Sequence, residues 1–164
     1  MACVQHEIEG DEPLPGVGKP SEVRRPSWRR GASNILFALS ELAARYPDFL
    51  WSRPVLIGHS HGGDTAMLFA TQHPDLVASV ISLDHRRMPV PRVTKPRILT
   101  LRSSDQVADE GVLPSAEEQE ALGITVVRLS GTSHNDMCDA ATPDQKAAML
   151  AAIDRFLGFL PGAR

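Results

Sequence analysis

Short apolar runs alternate along this chain with longer segments in which apolar residues recur at helical spacing. The short runs predict four β-strands, at residues 55–57, 77–83, 97–101 and 124–129. The longer segments predict four helices, at residues 27–46, 65–73, 116–122 and from 143 onwards. Strands that alternate with helices indicate βαβ units, so the expected fold class is α/β. We expect a mostly parallel sheet flanked by helices on both faces.

Local signals mark the ends of the predicted helices. Ser27 is placed to cap the first helix and Pro47 to end it. Ser115 with Glu118 predicts a capping box, and Thr142 followed by Pro143 predicts a helix start. The last helix has one apolar face, formed by Met149, Ile153, Phe156, Leu157 and Leu160.

The N-terminal 26 residues differ in composition from the rest of the chain. Residues 9–26 are rich in proline, glycine and charge, which predicts a loop, and residues 2–6 are apolar enough for a short strand. We therefore expect one domain over residues 1–164, with an irregular segment at 1–26 and a core at 27–164.

Residues 54–64, which read P-V-L-I-G-H-S-H-G-G-D, carry the most informative motif. A strand stops at a glycine-rich turn with Ser60 at its apex, and a helix follows at once. This is the pattern G-x-S-x-G in the setting of a nucleophile elbow. We expect a strained Ser60 with an accessible hydroxyl, and glycines at 58 and 62 that let the helix pass close to the strand, with Gly63 continuing that small-residue surface. The alternative is a turn that only joins the two elements.

A serine nucleophile needs a general base, and the base needs an orienting carboxylate. In elbow enzymes these follow in the order Ser, Asp or Glu, His. Asp105 and His134 each lie a few residues beyond a predicted strand end, in that order. We therefore predict Ser60, Asp105 and His134 as catalytic residues. Asp84 is the main rival for the acid, and Asp109 and Glu110 are weaker rivals.

Several other polar residues lie near the predicted site. The backbone N–H of His61 follows the nucleophile and is the expected oxyanion donor. His59 and His61 are more consistent with pocket walls than with a metal site, because no third ligand is apparent. Asp84, His85 and Arg86 follow a strand end and are candidates for the pocket. Arginines 24, 25, 29 and 30 form a basic patch that suits a solvated helix start or an acidic partner.

Composition narrows the class of protein. The 164 residues are 42% hydrophobic and 23% charged, as in ordinary globular domains. The net charge of −3 argues against a general nucleic-acid-binding protein. No run is long enough for a membrane span, and the first residues do not resemble a signal peptide. With only two cysteines and no metal-ligand spacing, we expect a cytoplasmic protein without a cofactor or metal.

The motif G-H-S-H-G-G, the R-S-S-D loop and the T-S-H loop together resemble the α/β-hydrolase superfamily. The resemblance covers the chain from about residue 27. It implies that the four predicted strands correspond to the fifth to eighth strands of that fold. It also implies a serine hydrolase, most simply one that cleaves small-molecule carboxylic esters through an acyl-enzyme.

The chain departs from the family pattern at its front. Residues 2–6 resemble the fourth strand of the family, but the third strand and its loop have no counterpart. That loop normally supplies a second oxyanion N–H. Three outcomes are open: residues 2–6 pair with the exposed edge, a partner chain covers it in a homo-oligomer, or the chain is N-terminally truncated. The alternative function is accordingly a weak or inactive hydrolase-like binding module.

Overall fold

The computed structural model describes residues 1–159, and the predicted alternation of strands and helices is present in it. In chain order the elements are α1 (Pro20–Val23), α2 (Arg25–Arg45), β1 (Val55–His59), α3 (His61–Gln72), β2 (Ser79–Leu83), β3 (Arg97–Arg102), α4 (Ala116–Leu122), β4 (Thr125–Arg128) and α5 (Pro143–Leu157). Two single 3₁₀ turns occur, at Pro74–Leu76 and His134–Asp136. Leu160, which was assigned to the apolar face of the last helix, lies outside the described residues. None of the helices within residues 1–159 is long and apolar enough to cross a bilayer.

The four strands form one sheet in the order β1-β2-β3-β4, and every neighbouring pair is parallel. This confirms the predicted α/β class. Because all four strands point the same way, their carboxyl ends meet at one edge of the sheet. The loops that follow β1, β2, β3 and β4 are thereby brought together, which is where sites form on such sheets.

Helices cover both faces of the sheet, as predicted. On one face α3 packs against the strands and α2 packs against α3, around a buried core that includes Ala32, Ile35, Met67, Phe69, Val80 and Ile98. On the other face α5 closes a second core that includes Ile81, Leu99, Leu101, Met149 and Phe156. Alternate residues of β2 and β3 therefore serve opposite cores, as the two-residue period of a strand requires.

The helix-end signals are confirmed with one exception. In α4 the Ser115 hydroxyl accepts the N–H of Glu118 at 3.2 Å, and Glu118 accepts the N–H of Ser115 at 2.8 Å. An equivalent capping box at Thr142 begins α5. Ser27, in contrast, lies inside α2, which already begins at Arg25 because a proline in its first turn favours an earlier start.

The short strand expected at residues 2–6 does not form. These residues lie beside α2, where they help to line a cavity of about 490 Å³ that also includes Arg30 and Phe37. An ion pair between Arg30 and Asp11, 3.3 Å long, fastens the same segment to the helix. Consequently the outer edge of β1 pairs with no strand within residues 1–159.

This open edge leads to a prediction about association. Val55 and Ile57 on β1 are 41% and 55% exposed, beside a row of unpaired backbone groups. We propose that copies of the chain associate through this edge and that Ile57→Lys weakens the association. The matched control is Leu150→Lys, since Leu150 is 57% exposed on α5. Sedimentation velocity at micromolar concentration should show a smaller species for Ile57→Lys alone, and a monomeric wild type would contradict the proposal.

Candidate functional site

The turn at Ser60 holds a serine in an unusual backbone conformation. Its φ is +52° and its ψ is −117°, a region that residues with a side chain rarely occupy. Such a conformation costs about 1–3 kcal/mol and persists only where the surroundings enforce it. Here the Ser60 N–H donates to Leu83 O at 2.9 Å, and Ser60 O accepts the N–H of Asp64 at 3.0 Å. The turn is therefore fixed between the end of β2 and the first turn of α3.

Of the three glycines expected to give a small surface here, Gly58 and Gly63 allow α3 to approach the sheet and Gly62 does not take part. A Cβ on Gly58 would lie 2.4 Å from the backbone carbonyl of Gly62, and one on Gly63 would lie 2.8 Å from Ser82 Oγ. A Cβ on Gly62 would meet nothing within 4 Å. The structure thus corrects the role expected for Gly62, because the close contacts fall on Gly58 and Gly63.

Gly58→Ala should therefore destabilise the protein, whereas Gly62→Ala should not. In Gly58→Ala the new methyl group pushes the backbone of α3 away from β1, at a cost of roughly 1–3 kcal/mol. Gly62→Ala places alanine in open space within a helix, where alanine is favoured. Urea unfolding of the two variants tests the difference. Equal stabilities would show that the approach of α3 to β1 is not limited by Gly58.

His134 lies between Ser60 and a buried carboxylate. Its Nε2 is 3.0 Å from Ser60 Oγ, and its Nδ1 is 2.7 Å from Asp84 Oδ2. A carboxylate only accepts hydrogen bonds, so Nδ1 carries the proton of the neutral ring. Nε2 is then free to accept the hydroxyl proton of Ser60. The three side chains form one continuous hydrogen-bonded chain.

Asp84 is held as an anion in the interior. It is fully buried, with φ +55°, directly after β2. Its carboxylate accepts the N–H of Ser103 at 3.0 Å and the Ser103 hydroxyl at 2.8 Å, and Arg102 lies 2.8 Å away as an ion pair. Burial alone would raise the pKa of Asp84. The hydrogen bonds from Ser103 and His134, with the charge of Arg102, outweigh burial and lower that pKa.

The structure corrects the position expected for Asp105. Asp105 is exposed, and its Oδ1 accepts the backbone N–H of His134 at 2.7 Å instead of contacting the imidazole. The physical reason is strand order: β2, which Asp84 follows directly, lies next to β1 and Ser60, whereas β3 and Asp105 lie one strand further away. The two weaker rivals, Asp109 and Glu110, are exposed and line a cavity that also includes Trp28 and Arg87.

The two histidines beside Ser60 serve different neighbours. His59 Nε2 is 3.1 Å from His134 O, and the two rings pack with centroids 4.6 Å apart. His61 Nδ1 accepts the indole N–H of Trp28 at 3.0 Å, and its Nε2 is 3.1 Å from Ser27 Oγ. Burial is the largest cause of a lowered pKa in both histidines. His59 therefore links the end of β1 to the His134 segment, and His61 links the start of α3 to α2.

Of the residues expected to line a pocket beyond β2, two lie in the interior. His85 is fully buried against the Ser82 hydroxyl, and burial with the charge of Arg102 lowers its pKa to about 3. Asp84 lies beneath His134. Only Arg86 is partly exposed. Its neighbour Arg87 lines a cavity of about 580 Å³ that also includes Arg25 and Trp28 of α2.

Sequence reasoning missed the residues that hold this arrangement. Arg102 forms an ion pair with Asp84 and Ser103 donates hydrogen bonds to it, whereas the R-S-S-D motif had suggested only an acid at its last position. Asp64, fully buried in α3, accepts the backbone N–H groups of Arg87 and Met88 at 3.0 and 2.8 Å. An aspartate within an otherwise apolar helix face was the available signal for this last contact.

Comparisons with known proteins agree with this architecture. No protein-family model matches the chain. A triacylglycerol lipase of Vibrio cholerae is 36% identical over 108 residues, which cover 60% of this chain and 28% of the lipase. The crystal structure of a single-residue variant of Arabidopsis thaliana SOBER1 superposes with a TM-score of 0.54 at 15% identity, over 81% of this chain and 66% of that one.

The chain thus spans less than a third of the lipase and about two thirds of the solved structure. The likeness to the solved structure concerns the fold alone, whereas the likeness to the lipase lies in the sequence itself. The parallel sheet, the matched sequence and the matched fold together relate this chain to the α/β-hydrolase superfamily.

Proposed function

We propose that this chain is a serine hydrolase that cleaves carboxylic esters through an acyl-enzyme. Ser60 is the nucleophile, His134 the general base and Asp84 the orienting carboxylate. The observation that carries the proposal is the continuous chain from Asp84 Oδ2 to His134 (2.7 Å) and from His134 to Ser60 Oγ (3.0 Å). Both distances are within direct proton-transfer reach.

The proposed reaction has two halves. His134 Nε2 takes the hydroxyl proton while Ser60 Oγ attacks the ester carbonyl, and the same nitrogen then protonates the departing alkoxide. Water then attacks the acyl-Ser60 while His134 Nε2 takes a proton from the water. The same nitrogen returns a proton to Ser60 Oγ as the carboxylic acid leaves. In each half the imidazolium forms beside the buried Asp84 anion, which stabilises it. The backbone N–H of His61 is the proposed donor to the oxyanion.

The rate is expected to be modest. In the resembled family, a second oxyanion donor comes from a loop after a strand that has no counterpart within residues 1–159. That strand would belong near the unpaired edge of β1 in the described part of the chain. Loss of one donor typically costs about 10²–10³ in kcat. The same observation favours the second candidate function, a weak or inactive hydrolase-like module that binds a ligand.

Small, accessible esters are the proposed substrates. The name of the curated relative, a triacylglycerol lipase, supports ester chemistry. Residues 84–96, all of which the structure describes, form no helix or strand that could serve as a lid between β2 and β3. A site that is open to solvent and has no lid favours esters with short acyl chains over lipids in aggregates.

The test is hydrolysis of p-nitrophenyl acetate and butyrate by the wild type, Ser60→Ala and His134→Ala. We expect each substitution to lower kcat by at least about 10³-fold, because the triad acts as a unit. Ser33→Ala, which removes an exposed hydroxyl on α2, should behave as the wild type. Turnover that survives Ser60→Ala would contradict the proposal. A folded wild type without turnover would favour the binding module.

A further inference from the structure

The general base of the proposed mechanism lies in a segment with little regular structure. Residues 129–142 contain only the single 3₁₀ turn His134–Asp136. The ring of His134 nevertheless has to face Ser60 and Asp84 at the same time. Misplacement of a reacting group by about 1 Å is enough to cost about 10²-fold in rate. Some contact other than secondary structure must therefore fix the backbone of His134.

The peptide group before the ring is held by the loop that follows β3. Asp105 Oδ1 accepts the N–H of His134 at 2.7 Å, a short hydrogen bond. The adjacent Ser104 donates to Thr132 O from both its N–H, at 2.8 Å, and its hydroxyl, at 3.1 Å. Two consecutive residues of this loop thus hold the segment just before the imidazole.

The peptide group after the ring is held by β1. His59 Nε2 lies 3.1 Å from His134 O, and since a carbonyl only accepts, His59 donates from Nε2. The ring of His59 also packs against the ring of His134. His59 immediately precedes Ser60, so this contact couples the position of the base to the strand that carries the nucleophile.

We propose that Asp105 and His59 are positioning residues that clamp His134 by its two peptide groups and so align its ring with Ser60 and Asp84. The proposal rests on the proposed function for its effect on rate. Its structural content, the alignment of the ring, does not depend on turnover. Asp105 acts through an acceptor oxygen and not through its charge, and that distinguishes it from Asp84.

Two substitutions of Asp105 distinguish the effect of its acceptor oxygen from the effect of its charge. Asp105→Asn keeps an acceptor oxygen and removes the charge, whereas Asp105→Ala removes both. We expect Asp105→Ala to lower kcat roughly 10- to 100-fold with little change in KM, and Asp105→Asn to recover most of that loss. His59→Phe, which keeps a ring and loses the donor, should resemble Asp105→Ala. Asp109→Ala, an exposed carboxylate on the same loop, is the matched control.

A second readout needs no substrate. The proton on His134 Nδ1, which is donated to Asp84 in a hydrogen bond, should give a downfield proton NMR signal, assigned by its loss in Asp84→Ala. We expect this signal to persist in Asp105→Asn and to broaden or vanish in Asp105→Ala and His59→Phe, with circular dichroism showing that all are folded. This holds even if the wild type lacks turnover, so failure of the proposed function is seen separately.

Three results would overturn the clamp. Equal and severe losses in Asp105→Asn and Asp105→Ala would show that the charge of Asp105 acts directly. Wild-type kinetics and an unchanged signal in Asp105→Ala would show that its contact does not align the ring. The same outcome for His59→Phe would remove His59 from the clamp.

Discussion

Asp84→Asn should lower kcat for p-nitrophenyl esters by about 10⁴-fold, the loss expected when a triad carboxylate becomes an amide. The amide cannot stabilise the imidazolium, and it favours the wrong tautomer of His134. Asp105→Asn should lose far less, because Asp105 binds a backbone N–H and not the imidazole. Steady-state kinetics of the two variants therefore decides which carboxylate belongs to the triad.

The comparison needs a control for the effect of Asp84→Asn on folding. Arg102 is 2% exposed and lies against Asp84, so Asp84→Asn leaves a buried cation without its partner. The double variant Asp84→Asn/Arg102→Gln removes that cation and should remain as inactive as the single variant. Near-wild-type kcat in folded Asp84→Asn, or in the double variant, would contradict the assignment.

Acidification should destabilise the protein in part through protonation of His85. The folded-state pKa of His85 is about 3, because of burial and the charge of Arg102, against an unfolded value of about 6.5. Between these values the unfolded chain binds a proton that the folded protein does not. Stability is therefore complete above about pH 6.5 and falls as the pH decreases towards 3. Between pH 7 and pH 5, His85 alone should lower the free energy of unfolding by roughly 2 kcal/mol.

Urea unfolding at pH 7 and pH 5 measures this loss. His85→Asn keeps a polar group beside Ser82 but cannot titrate, so its free energy of unfolding should fall less over the same interval. His73→Gln, at the C-terminal end of α3, is the matched control. An unchanged pH dependence in His85→Asn would show that protonation of His85 is not what destabilises the folded state in acid.

The elements were predictable because their signals are local. Alternating apolar runs, the capping box at Ser115 and the pair Thr142-Pro143 act within a few residues and required no tertiary information. The exceptions have tertiary causes. Ser27 looked like a cap but contacts His61, and residues 2–6 looked like a strand but lie along α2.

Sequence order could not reveal that Asp84, and not Asp105, contacts the ring of His134. Asp84 and Asp105 each follow a strand end, so spacing treats them alike. The sheet order β1-β2-β3 places Asp84 nearer to Ser60, and a positive φ at Asp84 accompanies its contact with His134. A similar limit applies to the glycines, since the sequence marks Gly58, Gly62 and Gly63 alike while the close contacts fall only on Gly58 and Gly63.

The proposed nucleophile can be tested most directly by labelling the folded wild type with a fluorophosphonate probe and locating the adduct by peptide mass spectrometry. We predict one adduct, on Ser60, that disappears in Ser60→Ala and forms much more slowly in Asp84→Asn, while Ser33→Ala labels normally. No adduct on the well-folded protein, or an adduct that persists in Ser60→Ala, would contradict the assignment of Ser60 as an activated nucleophile.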